Sequence, residues 1–469
     1  MSIKLSVKPS KWEALFVVGF MAFLIGVKPV HAQDQFYGVP VSFKEELKER
    51  TFNYFWEIVD EPTWQTDDRY PGRNFTSIAA TGFALPSYII GIHNNYITRQ
   101  EGAERVLNTL EWLWNSKQGP DESGTTGYKG LFYHFLNYGS GTRFQQVELS
   151  TIDTGLLMAG ILTAQSYFDE NNATEQQIRA LSDSLYLRVD WNWAMNGRET
   201  MSMGWHPEHG FIEAQWTGYN EAMILLILAM GSPTHPIPDQ SWEVWTSTYE
   251  FAEFYGFEHV NFGPLFGHQY SQMFIDFRDI YDDYMKAKGF DYFENSRRAT
   301  LANRAYCIDN PNGFTGYSSE IWGLTASDGP ANETKIIDGK EIRFQTYTAR
   351  GAASDYLNDD GTIVPTAAGG SIPFAPEETL AALYEMKNRF GDKLYTEYGF
   401  LDAFNLTYQP DGWFNKDFIG IDQGPILIQL ENLESELIWN ILKKNKYVIN
   451  GLQKAGFTGG WLDEINEEN

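Results

Sequence analysis

The chain reads as an all-α protein, an (α/α)6 toroid with small β-hairpin and loop decorations. Two observations predict this. Long helical patterns dominate, and they alternate between segments with one wet face and segments apolar nearly all round. Helices of the second kind must be enclosed by protein, so the simplest packing is two concentric rings. About twelve helices then pair into six hairpins. No 34- or 40-residue repeat suggests an open solenoid instead.

The amphipathic segments are 42–60, 98–115, 174–190 and 241–255. The first three open with capping-box spacings: Ser42 with Glu45, Thr98 with Glu101, and Thr174 with Gln177. The apolar segments are 77–92, 150–168, 218–230 and 425–442. Pro86 should kink its helix rather than end it. Residues 309–375 break the alternation with Gly, Asp and Thr, and Asp338-Gly339 marks a tight hairpin. A loop-rich excursion of this length is expected to decorate one mouth of the toroid.

Lys4, Lys8 and Lys11 precede an apolar run from Ala14 to Val27, and Val30-His31-Ala32 supplies a cleavage site. Residues 1–32 therefore read as a secretory signal peptide, and 33–469 as one catalytic domain. Periplasmic or secreted localisation in a bacterium follows, with no membrane association once the leader is removed. Without Lys4, Lys8, Lys11, Lys28 and Glu13 the formal net charge deepens from −27 to −30. Such a surface repels nucleic acid and anionic polymers, so a neutral substrate fits better than DNA, an anionic membrane or an acidic polysaccharide. The only cysteine is Cys307, so no internal disulfide forms. No metal-ligand spacing occurs; neither metal nor cofactor is expected, and the protein is read as a monomer. Aromatic residues make up 16% of the chain, a surplus suited to stacking on sugar rings.

In a toroid of helical hairpins the inner helices run parallel and their N-termini gather at one mouth. Glu148 and Asp153 open one apolar segment, and Trp216-Thr217-Gly218-Tyr219-Asn220-Glu221 another. Trp413, Asp417 and Asp422 precede a third, and Glu320 and Asp328 flank Trp322 in the loop-rich part. Each acid alone fits helix capping as well as function. Glu221 directly borders Ala222-Met223-Ile224-Leu225-Leu226, where desolvation would raise its pKa and suit a general acid. The helix dipole pulls the other way, which leaves the sign open. Asp422 sits in a turn, Ile421-Asp422-Gln423-Gly424-Pro425, with Pro425 at a first helical position, and is expected to stay ionised as a base. Two carboxyls in contrasting settings suit glycosidic cleavage. No G-x-S-x-G, P-loop or H-E-x-x-H motif offers another chemistry. His134, within Leu131-Phe132-Tyr133-His134-Phe135, is a candidate cleft residue.

The segments SIAATGFAL, LFYHFLN, ELSTIDTGLLMAGIL, GYNEAMILLILAMG, GFTGYSSEIWGLTASDGP, SIPFAPEETLAAL and GIDQGPILIQLEN resemble the glucoamylase-like proteins of glycoside hydrolase family 144. The similarity runs over about residues 45–460. It implies an (α/α)6 barrel and hydrolysis of β-1,2-glucan, either within chains or by release of sophorose from their ends. It also implies Glu221 as the acid and Glu148 and Asp153 as cleft acids that bind sugar hydroxyls; Asp422 is the base candidate, acting directly or, as in related families, through a water or substrate hydroxyl. The combined expectation is an endo-acting, inverting enzyme in which Trp216, Tyr317, Trp322 and Trp413 stack on or flank sugar rings. The alternatives are an exo-acting enzyme, a non-catalytic glucan-binding protein, or a lyase on the same toroid. The negative charge argues against the polyanionic substrate of a lyase.

Overall fold

The structure is a computed structural model describing residues 35–468. The expected signal peptide lies outside the described residues. Among them, no helix is long and apolar enough to cross a membrane.

A ring of buried helical segments forms the centre. Ile78–His93 packs on Thr151–Tyr167, which packs on Ala222–Gly231 and then Phe266–Phe274. Gly420–Ser435 meets Phe266–Phe274 and the short helix Pro365–Gly369, and closes back on Ile78–His93. Every residue of Ala222–Gly231 is buried. Such helices pass the cost of polar backbone ends to their surroundings, because four N–H groups and four C=O groups per helix lack intrahelical partners. Amphipathic helices sheathe the ring, including Val41–Glu57, Arg99–Asn115, Ala173–Leu187 and Tyr292–Asp309.

Two inner helices touch backbone to backbone. A Cβ on Gly160 would lie 2.1 Å from the Gly82 carbonyl oxygen, and one on Gly82 would lie 2.6 Å from that of Leu156. Only glycine admits this crossing, which draws Ile78–His93 and Thr151–Tyr167 together.

The C-terminal end of the ring is sealed by the last part of the chain. Leu437–Leu442 packs under Thr151–Tyr167 and Phe266–Phe274, and Lys446–Lys454 under Ala222–Gly231. Their side chains satisfy orphan carbonyls. Trp439 Nε1 donates to Gln272 O at 2.7 Å, Asn450 Nδ2 to Gly231 O at 3.0 Å, and Lys454 Nζ to Met230 O at 3.0 Å.

Several local expectations change in the folded chain. Thr98 and Glu101 form their capping box. Ser42–Glu45 does not, since Pro40 holds the N-cap position and makes no side-chain cap. Asn172, not Thr174, caps its helix by accepting from Glu175 N at 2.9 Å. The 241–255 segment is only helical over Gln240–Thr246; β-branched and aromatic residues beyond it enter the hairpin Phe251–Phe254 with Phe257–Val260. Pro86 lies inside its helix. Pro425 also lies inside Gly420–Ser435 rather than at its first position. It has no N–H to give Ile421 O, and that carbonyl accepts from Tyr270 OH at 3.1 Å instead. Residues 333–344 form the expected hairpin, with Asp338 and Gly339 at φ 51° and 78°. A five-stranded sheet formed by 127–128, 131–133, 149–150, 204–206 and 210–211 has no counterpart in the sequence reading.

Gly160→Ala should lower stability by about 1–3 kcal/mol through overpacking. The urea midpoint should fall with no change in slope. An unchanged midpoint would place the closest helix crossing elsewhere.

Candidate active site

The opposite end of the ring is open. The inner helices present their N-termini there, and backbone donors are capped locally. Ser77 Oγ accepts from Ala80 N at 3.2 Å, Ser150 Oγ from Asp153 N at 3.2 Å, and Thr325 Oγ1 from Phe266 N at 3.0 Å. Asn220 Oδ1 accepts from Ala222 N at 3.0 Å. Glu221 occupies the N-cap position of Ala222–Gly231 but makes no capping bond, and Asp422 makes none either. Both carboxyls are thereby free of the structural duty that capping would assign them.

A cleft of ≈370 Å³ lies at this mouth, with Glu221, Asp422, Asp153 and His134 in its wall. Phe75, Phe135, Ile152, Leu156 and Phe266 give it apolar sides. Tyr347, from the loop-rich part, lines it while 53% exposed. The apolar lining removes water from the acids, and each responds according to its neighbours.

Burial pushes the Glu221 carboxyl up to about 7, aided slightly by the charge of Asp153. Glu221 Oε2 is buried without a hydrogen-bond partner. Desolvation therefore outweighs the helix dipole, the sign left open by the sequence. His134 behaves oppositely. Burial opposes its charge, but Asp153 and the hydrogen-bonded Glu148 outweigh it and lift the imidazole to about 9. The ring lies 2.8 Å from Glu148 Oε1 through Nδ1 and 3.7 Å from Asp153 Oδ1 through Nε2. Burial works to raise Glu148, yet the His134 contact holds it below the ordinary carboxyl range. Asp153 is raised by burial, with His134 working against the rise, and it accepts a hydrogen bond from Ser150 Oγ.

Asp422 requires a correction. The expected ionised base is instead raised well above the carboxyl range, first by burial and then by Asp402 beside it. The turn that was to stabilise its charge is part of a buried helix and offers no donor to the carboxyl. Asp402 is 2% exposed and itself pushed up to about 7 by burial and the charge of Asp328. Asp402 Oδ1 and Asp422 Oδ2 are both buried without an ordinary donor. Two carboxyls in hydrogen-bonding contact satisfy each other by sharing a proton. Asp402 Oδ2 is held by Asn415 Nδ2 at 2.7 Å and by Asp328 N at 3.0 Å.

The sequence reading did not single out Asp68, Arg69, Asp402 or Tyr270. Asp68 and Arg69 also line the cleft. Arg69 donates to Asp68 at 3.1 Å and to Asp328 at 2.9 Å, drawing the ends of the strands Arg69–Tyr70 and Ala326–Ser327 together. The available signal was the run Asp67-Asp68-Arg69 ahead of an apolar helix, the same pattern that marked Glu221. Asp402 carries no such mark, being in a loop far along the chain from any apolar helix start.

The aromatic assignments fare differently. Trp322 is fully buried and cannot meet a sugar. Trp216 is 6% exposed and donates through Nε1 to Thr151 Oγ1 at 2.9 Å, bracing the start of an inner helix. Tyr317 packs on Phe314 and donates to Asp359 at 2.6 Å, away from the cleft lining. Trp413 is half-buried in a strand opposite Asn405, outside that lining. Glu320 is exposed and accepts from Ser319 Oγ at 2.7 Å, also outside it. Large rings that looked like platforms are used to fill the shell around the mouth. Glu148 is one residue removed from the lining and reaches it through His134.

His206, Glu208 and His209 gather ligand-capable atoms within 4.8 Å. Arg143 already engages Glu208 at 2.7 and 3.1 Å and His206 Nδ1 at 3.3 Å, placing a buried guanidinium where a cation would sit.

A family model described as "Putative glucoamylase" matches residues 213–446. An exo β-1,2-glucooligosaccharide sophorohydrolase (non-reducing end) from Parabacteroides distasonis is 31% identical over 446 residues, 87% of this chain. The chain spans 57% of that relative's length. A solved structure from Bacteroides uniformis, described in the same words as the family model, shares 33% identity at a TM-score of 0.77, covering 89% of this chain and 97% of that one. An endo-β-1,2-glucanase from Chitinophaga pinensis, solved with sophorotriose and glucose, shares 29% identity at a TM-score of 0.78, covering 90% and 99% respectively.

Raising Glu221 in the folded state makes its ionisation a cost to folding. The stability it permits is complete below its unfolded pKa of about 4.5 and is lost as pH rises through about 7. Glu221→Gln should therefore be more stable than the parent at pH 8 and nearly equal to it at pH 4. Denaturant midpoints at the two pH values check this; a parent equally or more stable at pH 8 would contradict it.

Proposed function

The chain belongs to the glucoamylase-like family, and from that membership we propose that it is a family 144 glycoside hydrolase that cleaves β-1,2-glucan on an (α/α)6 barrel. The observation that carries the reading is that one apolar-walled cleft is lined by both a desolvated Glu221 and Asp422, the latter coupled to Asp402 behind it. A carboxyl with a pKa near 7 is suited to protonate a leaving oxygen at neutral pH. The Asp422–Asp402 pair, holding one proton, keeps one negative charge that accepts the proton of an attacking water. As that water's oxygen bonds to the anomeric carbon, the glycosidic bond breaks and Glu221 gives its proton to the leaving sugar hydroxyl. Attack and departure on opposite faces invert the anomeric centre. Asp402 acts by holding Asp422 in register and setting its proton affinity. His134, charged between Glu148 and Asp153, orders hydroxyl-binding groups along the cleft.

We read the enzyme as endo-acting, exported to the periplasm or beyond. The near-complete coverage of the Chitinophaga pinensis endo-enzyme supports internal cleavage. The second reading, sophorose release from chain ends, is favoured by the Parabacteroides distasonis relative. A panel of linear and cyclic glucans of defined linkage decides the substrate; survival of β-1,2-glucan while another polymer is cut overturns the reading. A spread of early product sizes supports endo action, and sophorose alone supports exo action.

Glu221→Gln should lose about 10²–10⁴-fold in kcat, the range for a general acid. In the parent, kcat/KM should fall on the alkaline side through an apparent pKa near 7 as Glu221 deprotonates. Asp402→Asn should shift the acidic limb of the same profile to lower pH, because the charge that raises Asp422 is removed. An acidic limb that stays in place would remove Asp402 from this role.

A further inference from the structure

One face of a short ribbon behind the cleft rim gathers buried oxygens that no protein donor satisfies. Val59–Asp60 pairs with Gln65–Thr66 in the register Asp60 to Gln65. The next residue, Asp67, pairs with Thr76 of the strand Phe75–Ser77. Side chains directly opposite, or two apart on one strand, point to the same side. Asp60, Gln65, Asp67 and Thr76 therefore share a face, and each is at most 1% exposed. Asp60 Oδ1, Gln65 Oε1, both Asp67 carboxylate oxygens and Thr76 Oγ1 are buried and accept no hydrogen bond.

The other atoms of these groups are already committed. Asp60 Oδ2 accepts from Thr63 Oγ1 at 2.7 Å and Gly139 N at 2.8 Å, and Gln65 Nε2 donates to Thr63 O at 3.1 Å. The amide is thereby oriented with its oxygen toward the shared face. Arg73 approaches Asp67 Oδ2 with Nε at 3.1 Å, partly exposed and stacked over Tyr70 at 5.1 Å. Arg73 reaches only Asp67 Oδ2, so the other oxygens of the face stay buried without a donor, which is costly without further compensation.

We propose that this face binds a calcium ion, through Asp60, Gln65, Asp67 and Thr76. The donor set is entirely oxygen: two carboxylates, an amide carbonyl and a hydroxyl. That is the chemistry of a hard cation, and five such atoms leave room for the water ligands with which Ca²⁺ reaches six to eight. Nitrogen and sulfur donors, which would favour zinc or copper, are absent from the set. The ion would tie the strand that delivers Asp68 and Arg69 to the cleft, the strand that ends at Ser77, and the turn carrying Gly139. Its role is to brace the rim, separate from the proton chemistry of Glu221 and Asp422.

The test uses the full-length protein after export or with residues 1–32 removed. Metal content is measured by mass spectrometry, and melting is followed after EDTA treatment and desalting, with 1 mM CaCl₂, MgCl₂ or KCl restored. Calcium at about 100-fold over its Kd should raise Tm by about 3 °C or more. About one calcium per chain should be bound in equilibrium dialysis against 1 mM CaCl₂. Asp67→Asn should lose the Tm response. Because that variant risks misfolding, Thr76→Val supplies a milder change, with weaker calcium binding by calorimetry. His209→Ala should keep the full response, which separates this face from the His206–Glu208–His209 cluster. A response to magnesium or potassium but not calcium overturns the calcium assignment. No response to any cation, with no metal retained, overturns the site and leaves its oxygens to water and Arg73.

Discussion

Parallel buried helices oblige a protein to settle two unlike surfaces, and the rest of this structure follows from how it does so. At one end the ring exposes carbonyls, at the other N–H groups. The carbonyl end receives Trp439, Asn450 and Lys454 from the last segment of the chain, whose only other task is to pack. The N–H end is settled by small caps, Ser77, Ser150 and Asn220 beside their own helices and Thr325 reaching Phe266 from a distant part of the chain. Short caps keep the mouth open, and they release longer acids from capping. The positive ends of the helices and the apolar walls then act on the same carboxyls in opposite senses. Burial wins at Glu221, Asp153 and Asp422.

The division of labour among the acids depends on company more than on depth. Glu221, Asp153 and Asp422 are all enclosed, yet their surroundings differ. Glu221 has no ion-pair partner in contact, so desolvation is the largest influence on it, with Asp153 adding to the rise. Asp153 faces a charged imidazole that limits its rise. Asp422 faces another carboxyl, which adds to the rise that burial causes, and the two titrate as a unit. Arg69 contributes the other cation at the mouth, tied to Asp68 and Asp328. It engages Asp68, Asp328 and Asp417 without reaching the Asp402–Asp422 pair.

Legibility in the sequence followed the range of the forces involved. The ring was readable because an apolar stretch such as Ala222–Gly231 has no wet face to offer, whatever surrounds it. Glu221 was readable because acid and apolar run are adjacent in the chain. Asp402 was not, since its meaning comes from Asp422 twenty positions on, across a loop and two strand pairings. Trp216 and Trp322 misled for a related reason: composition marks a ring as suitable for stacking, but only packing decides which face of it is free. The Ser42 and Thr174 caps failed where Pro40 and Asn172 set the helix start first. The paired Gly82 and Gly160 were written in plain view, yet a glycine gives no sign of which partner it makes room for.

The seal between Gly420–Ser435 and Ile78–His93 has a consequence for how the molecule is made. The wall closes by joining nearly the first helix to nearly the last, and the carbonyl end is settled only by residues after that. No shorter length of the nascent chain contains a finished ring or a shielded set of helix ends. Early helices must wait with apolar surface uncovered, and their loop-closure entropy is repaid only when the final contacts form. A closed ring with settled ends thus requires residues through Lys454, and a chain cut before Gly420 would expose apolar helices rather than form a smaller stable domain.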